Sequence, residues 1–288
     1  MYEFIDSIDN KSEAFLPAEA VSFDDSVLDQ TVNGFRTLYV TGRQSIPIEL
    51  SEVNLSAIDG SRFRKKRYKP RSIVVGYQIK ADTAEELVKT YDQLLFHLSG
   101  DQKKVQFADD RSRHYIGTVS ELADPPAGRL FFNSEFTIYC ADPFKYSDDD
   151  FTADGTNGSV SFLYKGTYKA YPEFIFTLNG VTSEIVLYNG TSQIKVAAKT
   201  DNFASGTVIR LRVSDAYIAI NDVKSISYGD VENDWDAFVL NPGMNTFTYS
   251  AGDGEAVPDL SVKYKAVFLL FSILRTDHLR PSARHQPT

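Results

Sequence analysis

The stretch that decides the fold is Asn133-Ser-Glu-Phe-Thr-Ile-Tyr-Cys-Ala-Asp-Pro-Phe-Lys-Tyr146. Phe136, Ile138 and Cys140 alternate with Glu135, Thr137 and Tyr139, the period of a half-buried strand. Asp142-Pro143 then stops the strand, because proline has no N–H to give to a ladder. Three aspartates, Asp148 to Asp150, follow closely. A core strand that ends in Ala-Asp-Pro-Phe-Lys-Tyr and opens onto an acidic stretch marks a seam between two domains.

Upstream of this seam the chain reads as α+β. Short strand patterns lie at 35–40 and 46–55, and a cleaner one at 72–80, where Ile73, Val75, Tyr77 and Ile79 share a face. One helix is predicted over 84–98. Its apolar residues Ala84, Leu87, Val88, Tyr91, Leu94, Leu95 and Leu98 recur at three and four. Asp82 and Thr83 can cap it, with Glu85 and Glu86 behind them, and Gly100 is placed to end it. Further strands are expected at 105–107, 115–122 and 129–140, with Pro125-Pro126 and Gly128 in the turn before the last. His114 is expected in a solvated turn. The first domain, residues 1–147, is therefore a mostly antiparallel sheet carrying one helix.

Residues 148–158, rich in Asp, Thr and Gly, have the composition of a linker. Beyond them no helical period appears. Strand patterns come every 8–12 residues, at 171–178, 184–188, 193–197, 207–213, 217–221, 236–240, 246–249 and 260–268. Asn179-Gly180 and Asn189-Gly190 are tight-turn pairs. That rhythm predicts an all-β sandwich over 159–269. From 270 to 288 the composition turns basic after a finished strand, which reads as a basic extension or a cloning scar, or else an arm that packs elsewhere.

The composition narrows the function. The chain has 288 residues, 42% hydrophobic and 13% aromatic, with a net charge of −9, so it does not read as a nucleic-acid coat. Its single cysteine, Cys140, rules out an intramolecular disulfide. No run of about 20 apolar residues suits a membrane helix, and the N-terminal residues do not read as a signal peptide.

Candidate chemistry is sparse. No nucleophile elbow and no phosphate-cradling loop is present. His97, His114, His278 and His285 show no metal-binding spacing. Cys140 shares a face with Phe136 and Ile138, as a buried inert thiol does. Asp150, Asp154 and Gly155 touch a calcium-loop pattern, but Thr152 and Ser161 stand where ligands are needed. Hence no catalytic residue, cofactor or metal is assigned. Trp235, the only tryptophan, could stack a sugar, but a place in or beside the core is the plainer expectation.

The sharpest electrostatic feature runs from Arg62 to Arg71. Seven of its ten residues are basic: Arg62, Arg64, Lys65, Lys66, Arg67, Lys69 and Arg71. Taking those seven charges from the net −9 leaves −16 on the remainder. Asp59-Gly60 signals a turn just before, so the run is expected on a protruding hairpin limb. Basic residues interleaved with Phe63 and Tyr68 could bind nucleic acid. A limb that contacts a neighbouring subunit is the favoured reading.

Taken in order, these features resemble the distal tail proteins of siphophages over about residues 3–269. The resemblance rests on Gly34 to Gly42-Arg43, Asp59-Gly60, the basic run, the strand 73–79 and the helix 83–98. It continues through 105–109, 115–118 and 136–146, then Ala170-Tyr-Pro-Glu-Phe174, Asp234-Trp235, Leu240-Asn-Pro-Gly-Met-Asn245 and the closing strand 262–269. It implies a non-enzymatic virion protein at the tail tip, assembled in the bacterial host cytoplasm. It further implies a homo-hexameric ring that joins the tail tube to a tail-associated lysin or fibre. The second domain would be a galectin-like or carbohydrate-module-like sandwich that docks receptor-binding or baseplate proteins. No membrane partner is implied, and nucleic acid only as DNA in transit through the channel. A carbohydrate-binding adhesion module is the alternative, since sandwich shape alone does not fix function.

Overall fold

The computed structural model describes residues 16–55, 59–124, 126 and 128–269. The extension expected at 270–288 lies outside them.

The first half runs β1 (Val21–Phe23), β2 (Ser26–Val27), α1 (Leu28–Thr31), β3 (Phe35–Thr41), β4 (Ile48–Asn54), β5 (Ser61–Tyr68), β6 (Arg71–Lys80), α2 (Ala84–Leu98), β7 (Lys103–Phe107), β8 (Asp110–Leu122), β9 (Phe131–Cys140) and β10 (Lys145–Ser147). The main sheet is ordered β2-β1-β7-β8-β9-β6-β3, and its pairings among the described residues are antiparallel. Ile73, Val75, Tyr77 and Ile79 alternate inward on β6, fully buried. The register sets Ile73 opposite Ile138 and Val75 opposite Phe136, so the apolar faces of β6 and β9 coincide as cross-strand pairs.

Helix α2 closes over this face with Leu94 and Leu98 buried. Its bounds are those expected from the sequence. Thr83 Oγ1 accepts from the Glu86 amide at 3.1 Å, and the Glu86 carboxylate accepts from the Asp82 amide at 2.9 Å. The first bond satisfies an orphan donor of the first turn, and the second ties the Glu86 carboxylate back to the residue before the cap. Gly100, at φ +97°, takes the chain out of the helix through a left-handed turn.

The second half runs β11 (Phe151–Gly155), β12 (Ser159–Tyr164), β13 (Glu173–Thr177), β14 (Glu184–Tyr188), β15 (Gln193–Ala197), β16 (Val208–Arg212), β17 (Tyr217–Ile220), β18 (Val223–Lys224), β19 (Gly243–Ala251), β20 (Asp259–Tyr264) and β21 (Val267–Phe268). One sheet is ordered β11-β20-β13-β16-β17-β18, the other β12-β19-β14-β15. Their inward residues, among them Phe174, Phe176, Leu187, Val196, Leu211, Phe247 and Val262, form one buried cluster, separate from that of the first half. The result is a mixed α+β domain followed by a β-rich region.

Three expectations need correction. Residues 151–155, inside the stretch read as a linker, form β11 and pair with β20 from Phe151↔Tyr264 to Gly155↔Leu260. This strand lies at the sheet edge, where polar residues are tolerated on the open face. Phe151 stacks on Tyr264 at 5.6 Å. A Cβ on Gly155 would come within 2.8 Å of the Tyr249 hydroxyl. The strand expected at 236–240 is instead a 3-10 turn, Trp235–Phe238. Trp235 and Phe238 are three residues apart, the period that puts both on one face of such a turn. His114 lies in β8, 7% exposed rather than solvated, with Nδ1 3.2 Å from Asp148 Oδ1. Burial holds its pKa below the usual imidazole value, against the pull of Asp148.

The seam itself is a structure. After β9, the Asp142 carboxylate accepts from the Phe144 amide at 3.0 Å and turns the chain. β10 then pairs with β8 of the first half, through Tyr146↔His114 and Ser147↔Arg113. On its other side it pairs with β21, the closing strand of the second half, through Lys145↔Phe268 and Tyr146↔Val267.

Candidate functional site

Between β3 and β6 the chain leaves the sheet as a hairpin. β4 and β5 form a two-stranded sheet of their own, in the register Ile48↔Tyr68, Leu50↔Lys66, Glu52↔Phe63 and Asn54↔Ser61, with a bulge near Ser51. Every β5 residue except Tyr68 is exposed. A lone two-stranded ribbon is marginal in water, so this arm draws its order from its root and from whatever it touches.

Arg62, Arg64, Lys65, Lys66, Arg67 and Lys69 lie exposed on the arm. Glu49, Glu52 and Asp59 are its only carboxylates among the described residues, and the Lys69–Glu49 pair is loose at 4.0 Å. The arm therefore keeps a surplus of positive charge on an otherwise acidic chain.

Arg71 stands apart. It is the first residue of β6, 1% exposed. Its guanidinium donates to the Arg43 carbonyl at 2.5 Å, the Tyr115 hydroxyl at 3.1 Å and the Leu269 carbonyl at 3.4 Å. It braces the root and is not available to a partner at the arm surface.

Arg43, on the opposite leg of the root, is also buried. It grips Asp109 with two bonds, of 3.0 and 2.7 Å, reaches Glu19 at 3.4 Å and lies over the Phe107 ring. Nearby, the buried Lys145 ammonium sits 2.8 Å from the part-buried Asp110 carboxylate. Burial holds the Lys145 pKa below the usual lysine range, and Asp110 pulls the other way. Tyr115, in the midst of these cations, is pushed up to about 12 by burial.

An aromatic triad completes the root. Tyr68 meets Phe144 and Tyr168 edge-on, each at 5.6 Å, and Phe144 stacks on Tyr168 at 4.3 Å. Tyr68 belongs to the arm, Phe144 to the seam and Tyr168 to the second half. The arm is thus fastened to both halves of the molecule. The basic run disclosed the arm, but nothing in it pointed to Arg43, to Lys145–Asp110 or to the triad.

Cys140 is fully buried and burial pushes its thiol up to about 12, which removes the thiolate that reactivity needs. Among the described residues no group of three or more His, Cys, Asp or Glu is placed to hold a metal. Trp235 is half-buried against the second cluster.

Residues 28–140 match the family described as "Phage tail protein RIFT-related domain", and residues 165–268 match "Siphovirus-type tail component, C-terminal domain" of the Dit family. The two matches together span well over half of the chain. The chain belongs to the siphovirus distal tail (Dit) family. As a Dit-family chain it is a non-catalytic virion protein of the tail tip, a hub that links the tail tube to tail-tip components. The crystal structure of SPP1 Dit, described as a paradigm of the hub adsorption apparatus in phages infecting Gram-positive bacteria, shares this fold. It is 20% identical, with a TM-score of 0.73 over 87% of this chain and 99% of that one. Phage p2 baseplate structures in the activated conformation, with calcium and with strontium, align at 6% and 8% identity. Each has a TM-score of 0.44 over 81% of this chain and 91% of theirs. No curated protein matches the sequence.

Proposed function

We propose that six copies of the chain close into a ring at the tail tip, and that the arm makes the contact between neighbours. The ring takes the tail tube on one side and a tail-associated lysin or fibre on the other. The second half, a galectin-like sandwich in this reading, faces outward and docks receptor-binding or baseplate proteins. The division into a ring-forming unit (1–147), a junction (148–158) and a sandwich (159–269) belongs to the same proposal.

The observation that carries it is the arm: a solvent-exposed, positively charged ribbon on an acidic chain, held at its root by buried arginines. Six acidic subunits repel one another when packed together. A basic strip laid on an acidic face of the next subunit turns that repulsion into attraction and fixes orientation. A closed ring needs such a heterologous contact, one patch on each side of every copy.

The test replaces Lys65, Lys66 and Arg67 together by Glu. Circular dichroism should be unchanged, because all three side chains are exposed, while light scattering after size exclusion loses the six-copy species. Wild-type assembly should also weaken with salt, since exposed charges are screened over about 10 Å at 0.1 M. A triple variant that still assembles, but loses affinity for DNA, would show instead that the arm serves nucleic acid in the channel.

A further inference from the structure

The arm reading leaves open what the arm lands on. Helix α2 presents a second apolar stripe, away from the core. Val88 is 60% exposed, Leu95 41% and Phe96 74%. At 100° per residue these three share the outer face with Glu85 and Asp92, both exposed. A surface helix does not need this stripe for its own packing, because Leu87, Tyr91, Leu94 and Leu98 already face the core cluster.

The arm carries the complement. Ile48 and Leu50 lie on one face of β4, and the register sets Phe63 opposite Glu52 on that same face. These apolar residues are 50%, 56% and 62% exposed. Lys66, opposite Leu50, shares the face, whereas Arg67, Lys65 and Arg62, opposite Glu49, Ser51 and Val53, lie on the other face. From Ile48 to the level of Phe63 is four residues of strand, about 14 Å at roughly 3.4 Å per residue. From Val88 to Phe96 is eight residues of helix, about 12 Å at 1.5 Å per residue. Both strips are thus of one length, with Lys66 within one and carboxylates within the other.

We propose that the outer face of α2 is the seat for the arm of a second copy of this chain. Ile48, Leu50 and Phe63 cover Val88, Leu95 and Phe96, and Lys66 on the same face meets the carboxylates Glu85 and Asp92. The contact is heterologous, arm to helix, so it repeats from copy to copy and suits closure. This assignment rests on the arm reading above and names its partner surface.

Two experiments separate the readings. In the first, a chain carrying Phe63→Cys and Phe96→Cys is oxidised at assembling concentration and run without reductant. A ladder of covalent species above the dimer is expected, with none for Phe63→Cys paired with Val181→Cys, an exposed site in the second half. Assembly without a ladder would overturn the helix seat and leave the arm reading standing. An intrachain crosslink alone would show that the arm folds onto its own helix and would overturn the second copy as occupant. A chain that stays monomeric at every concentration would sink the arm reading and this one with it. In the second experiment, Glu85→Lys with Asp92→Lys should raise the concentration for half-assembly roughly tenfold or more, equivalent to about 1.4 kcal/mol. Adding Lys66→Glu should bring it back. A lowered melting temperature with assembly unchanged would mean that the helix face serves its own chain, and would overturn the proposal.

Discussion

Arg71 shows how a single side chain can belong to one sequence pattern and act in another. It closes the basic run, yet it sits on the alternation Arg71, Ile73, Val75, Tyr77, Ile79, and so points into the core with the others. The strand period carried that information, and the run of charge masked it. The neighbouring cations behave alike. Lys145→Met would leave the Asp110 carboxylate, 11% exposed, without its 2.8 Å partner, and should cost about 3–5 kcal/mol in urea unfolding. A loss under about 1 kcal/mol would show that Asp110 is served from elsewhere. His114 gives a pH signature. Its pKa is lowered in the fold chiefly by burial, so below about 6.5 the unfolded chain binds a proton that the folded chain refuses. Its contribution is fully present above that value and is lost as pH falls from it toward the lower folded pKa. Stability should therefore drop between pH 7 and 5, and His114→Gln should flatten that part of the curve; an unchanged slope would count against this assignment. Cys140, raised to about 12 by burial, should resist thiol reagents at pH 8 until the protein is unfolded.

Among the elements, helix α2 was the most legible. Its 3.6-residue period, its Thr83 cap and the glycine beyond it all pointed to one answer, and the bounds follow. Thr83→Ala should cost about 1 kcal/mol, and Leu94→Ala, deep in the core, about 2–5 kcal/mol, both read by chemical denaturation. Equal costs at the two sites would mean that the cap is held by more than its own hydroxyl. The arm was legible as a limb because Asp59-Gly60 and the dense charge leave little else to form. Strand β11 was not. Asp154 and Gly155 carry turn chemistry on their own, and only the partner strand β20, more than a hundred residues away, turns that stretch into a ladder. The 3-10 turn at Trp235–Phe238 was missed for the opposite reason, since Phe238, Val239 and Leu240 read as a strand when the period is counted over so short a window.

For the whole molecule, the stretch after Pro143 is built of strand where the sequence suggested a linker. Proline and aspartate stop β9, and the chain then threads a new strand between the two halves rather than a free linker. The separate cores still favour independent folding of each half. A fragment covering 144–269, which keeps β10 beside β21, should give an all-β circular dichroism spectrum and a cooperative melt. A fragment that stays unfolded would mean that the second half needs β8 as a template.

The β10–β21 pairing also has a mechanical meaning. The chain enters the second half and leaves its described part on adjacent strands, with Lys145 directly opposite Phe268. A body hung from one strand can spin about it, whereas a body hung from two bonded strands behaves as a lever in a vice. Torque on the second half is then not dissipated in a swivel. It is delivered through β10 to β8, and through Phe144 and Tyr168 to Tyr68, so a tug on the second half arrives at the foot of the arm.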